Sequence, residues 1–214
     1  MRGLVLYGAS CTLDVWDFIK DDLLDYDLTY VDYPHEIINT SQNIMDITKW
    51  VYHTYKNEQY DFVIGHSMGG LIALELVAEF NLICEKIILI ESNLKPANEF
   101  YRNLMLPINL KKYGDWVIPM IKEESKYYTD NIKKSLQESF DFTGLIRNTH
   151  SNVYGIYGDR GKKHYDRRID DLNLDAETIK KIDFRFVTDS CHMPMIENPN
   201  ELVEIINRII LNNN

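Results

Sequence analysis

Short apolar runs with almost no polar interruption recur along the first half of this chain: Leu4 to Tyr7, Phe62 to Ile64, and the strand-like stretch Lys86 to Ile90. A strand with one wet face alternates apolar and polar residues, whereas a strand covered on both faces reads as a continuous apolar run. Between these runs, apolar residues fall three or four apart. Trp16, Ile19, Leu23 and Leu24 predict a helix over 14–24. Ile44, Ile47, Val51 and Tyr55 predict a second, capped by Thr40 or Ser41, and Leu71 to Phe80 a third. Leu28 to Val31 is a shorter strand, closed by Asp32-Tyr33-Pro34. Strand alternating with helix in this way implies an α/β fold, with a mostly parallel central sheet and helices on both faces.

The rhythm stops after Leu94. Residues 95–150 carry Pro96, Pro107, Pro119 and many aromatic and charged residues, with no clear strand. The alternation returns with the strand Val153 to Tyr157, a helix over 175–181, the strand Phe184 to Val187 and a closing helix from Asn200 to Leu211. The expected organisation is therefore one core made of 1–94 and 151–214, interrupted by a helical insertion at 95–150. A length of 214 residues suits one domain with such an elaboration. The polar tail Asn212 to Asn214 is expected to fray.

Composition narrows the possible roles. Lys and Arg total 23 against 33 Asp and Glu, a formal charge of −10, which disfavours the basic footprint that nucleic-acid binding needs. Three cysteines, Cys11, Cys84 and Cys191, are too few and too scattered for a disulfide framework or a zinc site. Only four apolar residues in a row, Leu4 to Tyr7, precede Gly8, short of a signal-peptide core, and no stretch reaches the length of a membrane span. A cytoplasmic chain is the expectation, with no metal.

Between the predicted strand ending at Ile64 and the predicted helix from Leu71 lies Gly65-His66-Ser67-Met68-Gly69-Gly70, which contains Gly-x-Ser-x-Gly. A serine on a strand-to-helix turn this tight adopts a strained backbone, and glycines two residues to either side leave room for it. The turn lifts the Ser67 hydroxyl to the carboxyl edge of the sheet. There the Met68 N–H and the dipole of the following helix can stabilise an oxyanion.

With this motif in this context, the sequence resembles the α/β-hydrolase superfamily along nearly its whole length. Gly65 to Gly70 is similar to the family's nucleophile elbow. Leu4 to Ala9 is similar to its early strand ending in His-Gly, with Tyr7 in place of the histidine. Trp16 and Asp17 fall in a tryptophan-centred helix found in many members. Ser190-Cys191-His192-Met193-Pro194 is similar to the segment that carries the catalytic histidine, and Ser67 precedes His192 in the family's order. The resemblance implies a serine hydrolase with Ser67 as nucleophile and His192 as general base, because a hydroxyl is a weak nucleophile until a group titrating near neutrality takes its proton. It implies Met68 and Ala9 as oxyanion donors, a small-molecule acyl substrate, no cofactor, and a cap at 95–150. It also implies that the chain starts at the family's third strand, without two leading edge strands.

The acid departs from the pattern. The family's usual aspartate position corresponds to Gly161. Asp159 and Asp166 stand nearby, and a second position used in the family, at the end of the strand after the elbow helix, corresponds to Glu91. A carboxylate that ends a buried strand needs a partner, and a histidine N–H would serve. Glu91, Asp159 and the absence of a dedicated acid all stay open on the sequence. Of the remaining histidines, His66 is expected to pack beside the elbow, while His35, His53, His150 and His164 read as surface or helix-face residues. Cys191 reads as a small packed residue, Lys162-Lys163-His164 as a solvated loop. Phe100, Tyr101, Trp116, Tyr127 and Tyr128 either line an acyl pocket or form the cap's own core. Carboxylic ester or thioester hydrolysis is the leading expectation. Carbon–carbon bond hydrolysis or a cofactor-free lyase reaction on the same residues, and a non-catalytic binding protein on a decayed scaffold, are the alternatives.

Overall fold

A computed structural model describes residues 1–137 and 140–212, so Asn213 and Asn214 of the expected tail lie outside the described residues. Six strands form one sheet: β1 (Arg2–Leu6), β2 (Asp27–Tyr30), β3 (Phe62–His66), β4 (Lys86–Ile90), β5 (Asn152–Gly158) and β6 (Ile182–Val187). Their order across the sheet is β2-β1-β3-β4-β5-β6, and every pairing is parallel. The apolar runs became the central strands for the reason the pattern gives: β3 and β4 are buried at every position. The order reverses at β1, which places the carboxyl ends of β1 and β3 beside a crevice where ligands of open α/β sheets bind.

The helices are α1 (His35–Thr40), α2 (Ile44–Tyr55), α3 (Met68–Ala78), α4 (Pro107–Glu124), α5 (Asp130–Gln137), α6 (Thr143–Asn148), α7 (Ala176–Lys181), α8 (Pro194–Glu197) and α9 (Pro199–Leu211). Lying on β3 with α2 and α6 at its sides, α3 is apolar but for Glu75, with Met68 to Leu76 buried. The closing helix α9 shows one apolar stripe, Leu202, Ile206, Ile209 and Ile210, against the sheet. Its last turn receives an internal cation: the buried Lys86 Nζ donates to the Ile210 carbonyl at 2.9 Å, where a positive charge complements the helix dipole. No helix among the described residues is long and apolar enough to cross a membrane.

Two local expectations are corrected. The helix over 14–24 is instead two short 3₁₀ turns, Leu13–Trp16 and Lys20–Leu23, whose three-residue repeat buries Trp16, Ile19 and Leu23 but leaves Leu24 78% exposed. The cap of α2 is Asn43, whose side chain accepts from the Asp46 N–H at 3.1 Å. Thr40 and Ser41 are engaged by α1, which the sequence reading did not foresee, and both hydroxyls bond its Ile37 carbonyl. Between β4 and β5, Pro107 stands in the first turn of α4 and Pro119 inside it on an exposed face, so neither proline prevents an 18-residue helix.

Candidate active site

The chain leaves β3 and turns into α3 through Ser67, whose backbone sits at φ 52 and ψ −119. That conformation costs a non-glycine residue about 1–3 kcal/mol and persists only where the surroundings enforce it. They do so here by backbone contact. A Cβ on Gly65 would sit inside the Gly69 and Gly70 backbone, and one on Gly69 inside the Leu6 carbonyl. The turn is tied across the sheet by the Ser67 N–H to the Ile90 carbonyl at 2.9 Å. Met68 is the first residue of α3, so its N–H belongs to the helix terminus beside Ser67.

The loop after β1 lies against this turn. A Cβ on Gly8 would come within 2.9 Å of the Ser67 Cβ and 2.8 Å of His66 Nδ1. Ser10, at φ 59, bends the loop back, and Ala9 lines the same cleft as Ser67 and Met68.

His192 follows β6 on a loop held at both ends of its backbone. Its N–H donates to the Leu104 carbonyl at 3.0 Å, and its carbonyl accepts from His66 Nε2 at 2.8 Å. Burial, with His192 close by, lowers the His66 imidazole to about 3, so it is neutral and its Nε2 carries the donated proton. His66 thus packs beside the elbow, edge-on to Trp16, and also fixes the His192 loop. Glu197 fixes the same loop from the other side: its carboxylate accepts from the N–H groups of Cys191 and Leu106, both at 2.7 Å, and from the Asn109 amide at 3.1 Å. One carboxylate therefore joins the His192 loop to the start of α4.

The structure brings Glu91 to His192. Glu91 ends β4 at φ 50, is 1% exposed, and its Oε2 lies 3.4 Å from His192 Nδ1. Asp159 is placed elsewhere. Its Oδ1 accepts from the N–H groups of Gly161 and Asp189, both at 2.8 Å, which makes it a loop-shaping residue, and no contact joins it to His192 among the described residues. Asp166 is exposed, and Gly161 adopts φ 68 in the same loop. Cys191 is buried, and desolvation pushes its thiol up to about 12, leaving it protonated and inert.

Arg160 was not foreseen. It donates from Nη1 and Nη2 to the two Glu91 oxygens at 2.6 Å each, while the Gly158 N–H reaches Oε1 at 2.5 Å. Burial pushes the Glu91 carboxyl up, but the Arg160 guanidinium, with help from His192, leaves it below the usual carboxylate range. The available signal was the cost of an isolated buried charge at Glu91 combined with the pairing of β4 to β5, whose loop supplies the arginine.

Ser67, Met68, Ala9, Glu91 and His192 line one cleft of about 450 Å³. Its remaining wall comes from Leu71 of α3, Asn93, and the segment after β4, through Tyr101, Arg102, Leu104, Leu136 and Phe140. Of the aromatic residues singled out from sequence, only Tyr101 faces this cleft. Phe100 stacks on Tyr165, Tyr127 on His35, and Trp116 packs against Phe18.

Compared with known proteins, the chain matches the model of the alpha/beta hydrolase fold over residues 26–117, a stretch that contains Ser67 and Glu91. No curated protein sequence matches it. Among solved structures, the bromoperoxidase from Bacillus anthracis superposes with a TM-score of 0.76 at 13% identity, over 98% of this chain and 91% of that one. The thermophilic esterase from Thermogutta terrifontis gives 0.73 at 14%, over 98% and 89%. The N-formylmaleamic acid deformylase from Pseudomonas putida S16 gives 0.68 at 13%, over 96% and 91%. The fold is that of the α/β hydrolases, and the parallel sheet with its flanking helices carries that likeness over the whole chain.

Proposed function

We propose that this protein is a serine hydrolase that cleaves a carboxylic ester or thioester of small to medium size. Ser67 is the nucleophile, His192 the general base, and Glu91 the acid that orients it. The Met68 and Ala9 N–H groups form the oxyanion hole, and residues 95–150 form a cap. The observation that carries this reading is the strained Ser67 turn opening into the same cleft as His192, whose far nitrogen faces a buried carboxylate.

His192 Nε2 takes the Ser67 proton as the oxygen attacks the acyl carbon, and the carbonyl π-electrons move onto oxygen. The developing oxyanion lies against the two backbone donors, which need no reorganisation as charge builds. When the intermediate collapses, the proton passes from His192 to the leaving alcohol or thiol. Water, deprotonated by the same imidazole, then releases the acid and restores Ser67. The neighbouring esterase and deformylase folds agree with hydrolysis of an acyl bond. A cleft of about 450 Å³ suits a compact acyl group.

The test is hydrolysis of p-nitrophenyl butyrate and p-nitrophenyl palmitate by the parent and by Ser67→Ala. Butyrate should be preferred, and Ser67→Ala should lose about 10³-fold or more in kcat. Undiminished turnover by Ser67→Ala refutes the reading.

A further inference from the structure

We propose that Arg160 is a positioning residue of this site, holding Glu91 as a carboxylate inside the fold so that it can orient His192. The proposal rests on the reading of Glu91 and His192 as acid and base. Glu91 is sealed at the end of β4, with both oxygens taken up by the planar guanidinium in a two-pronged pairing, the geometry that matches arginine to carboxylate. Arg160 is itself placed with care. Its backbone is left-handed at φ 56, its N–H bonds the Ser190 carbonyl at 2.9 Å, and its guanidinium lies 4.5 Å from the centre of the Tyr101 ring. Nη1 also donates to the Gly158 carbonyl at 2.8 Å.

The other titratable groups facing Glu91 offer it no lasting charge. Tyr101 and Tyr157 are phenols whose acidity burial suppresses, Cys191 is a protonated thiol, and His66 is neutral. His192 is the group that Glu91 orients, with its Nδ1 3.4 Å from Oε2. Among the described residues, Arg160 is the one permanent cation within ion-pair distance of Glu91. Without it, desolvation dominates and raises the carboxyl's affinity for a proton. A protonated Glu91 offers the His192 Nδ1–H only a neutral carbonyl oxygen, a weaker acceptor with no charge to stabilise the imidazolium, so the hold on the tautomer and orientation of the ring weakens. The loop after β5, where the family resemblance places its aspartate, contributes the counter-charge for an acid on the neighbouring strand.

The experiment is a pH profile of kcat/KM for p-nitrophenyl butyrate with the parent, Arg160→Met, Arg160→Gln and Arg160→Lys. It is paired with proton NMR of the downfield imidazole N–H of His192. In the two neutral variants the acid limb should move up by about one pH unit or more, with activity recovering toward the parent above it. Their imidazole N–H signal should be lost at pH 7, as in Glu91→Gln. Arg160→Lys keeps the charge and should shift by less than half as much. Arg160→Gln retains hydrogen-bonding capacity and serves if Arg160→Met does not fold. A uniform loss at every pH with an unmoved limb makes Arg160 a structural clamp and overturns the proposal, as does unchanged activity. Failure of the hydrolase reading would show separately, as full turnover by Ser67→Ala, and the NMR arm stands without turnover.

Discussion

At the turn around Ser67, position is set by backbone packed on backbone: the end of β1, the end of β3 and the start of α3 approach so closely that side chains at Gly65 and Gly69 have no room. At the corner around Glu91, position is set by charge. There a glutamate from the end of β4, an arginine from the loop after β5 and a histidine from the loop after β6 meet across 101 residues of sequence, from 91 to 192. The first arrangement tolerates almost no change in size and is written in adjacent residues. The second tolerates size but not neutralisation, and its members carry no fixed spacing.

The largest effect should come from breaking the charged corner. Glu91→Gln strands the buried Arg160, so stability should fall by about 3–5 kcal/mol in a denaturant titration. Turnover by the folded fraction should drop by about 10²–10⁴-fold. Parent-like turnover would remove Glu91 from the site. The elbow should break differently. Gly65→Ala drives a Cβ into rigid backbone and should cost about 3 kcal/mol or more, read as a lower Tm or a lack of folded protein.

A second buried glutamate sharpens the contrast, because it has no cation at ion-pair distance among the described residues. Glu75 on α3 accepts from the Thr48 hydroxyl at 2.5 Å, and burial raises its carboxyl to about 7. A carboxyl raised on folding binds its proton more tightly in the native state. Stability therefore falls as pH rises from about 4.5 to about 7, and the loss is complete above that. Glu75→Gln should raise stability at pH 8 by at most about 3 kcal/mol and make no difference below about pH 4. An equal gain at both pH values would mean that Glu75 is not neutralised by burial.

The smallest effect is expected at Asp159. Asp159→Asn keeps the oxygen that holds the Gly161 and Asp189 N–H groups, so turnover should stay within about threefold of the parent and Tm should barely move. A loss comparable to that of Glu91→Gln would return Asp159 to candidacy as the acid.

These differences explain what could be read in advance. The six strands, their parallel pairing and the Ser67 turn follow from local rules: apolar runs, helical spacing, and glycines where backbones touch. On the sequence the acid stays open between Glu91, Asp159 and no dedicated acid: a buried charge at Glu91 must be answered, but the identity of the answering group, Arg160, depends on which strand lies beside β4. Likewise Glu197 and His66 hold the His192 loop through contacts that no spacing announces. The region between β4 and β5 was least legible. Pro107 and Pro119 read as interruptions, yet one suits a helix start and the other an exposed face of the same helix. The helix expected over 14–24 failed because a spacing of three to four fits an α-helix and a 3₁₀ turn almost equally well over so few residues.

If the strained turn makes Ser67 a working nucleophile, as proposed, covalent labelling reads it directly. A fluorophosphonate probe followed by intact mass spectrometry should add one adduct to the folded parent and none to Ser67→Ala. A folded parent that takes up no probe, or a Ser67→Ala variant that takes up as much, would contradict the account.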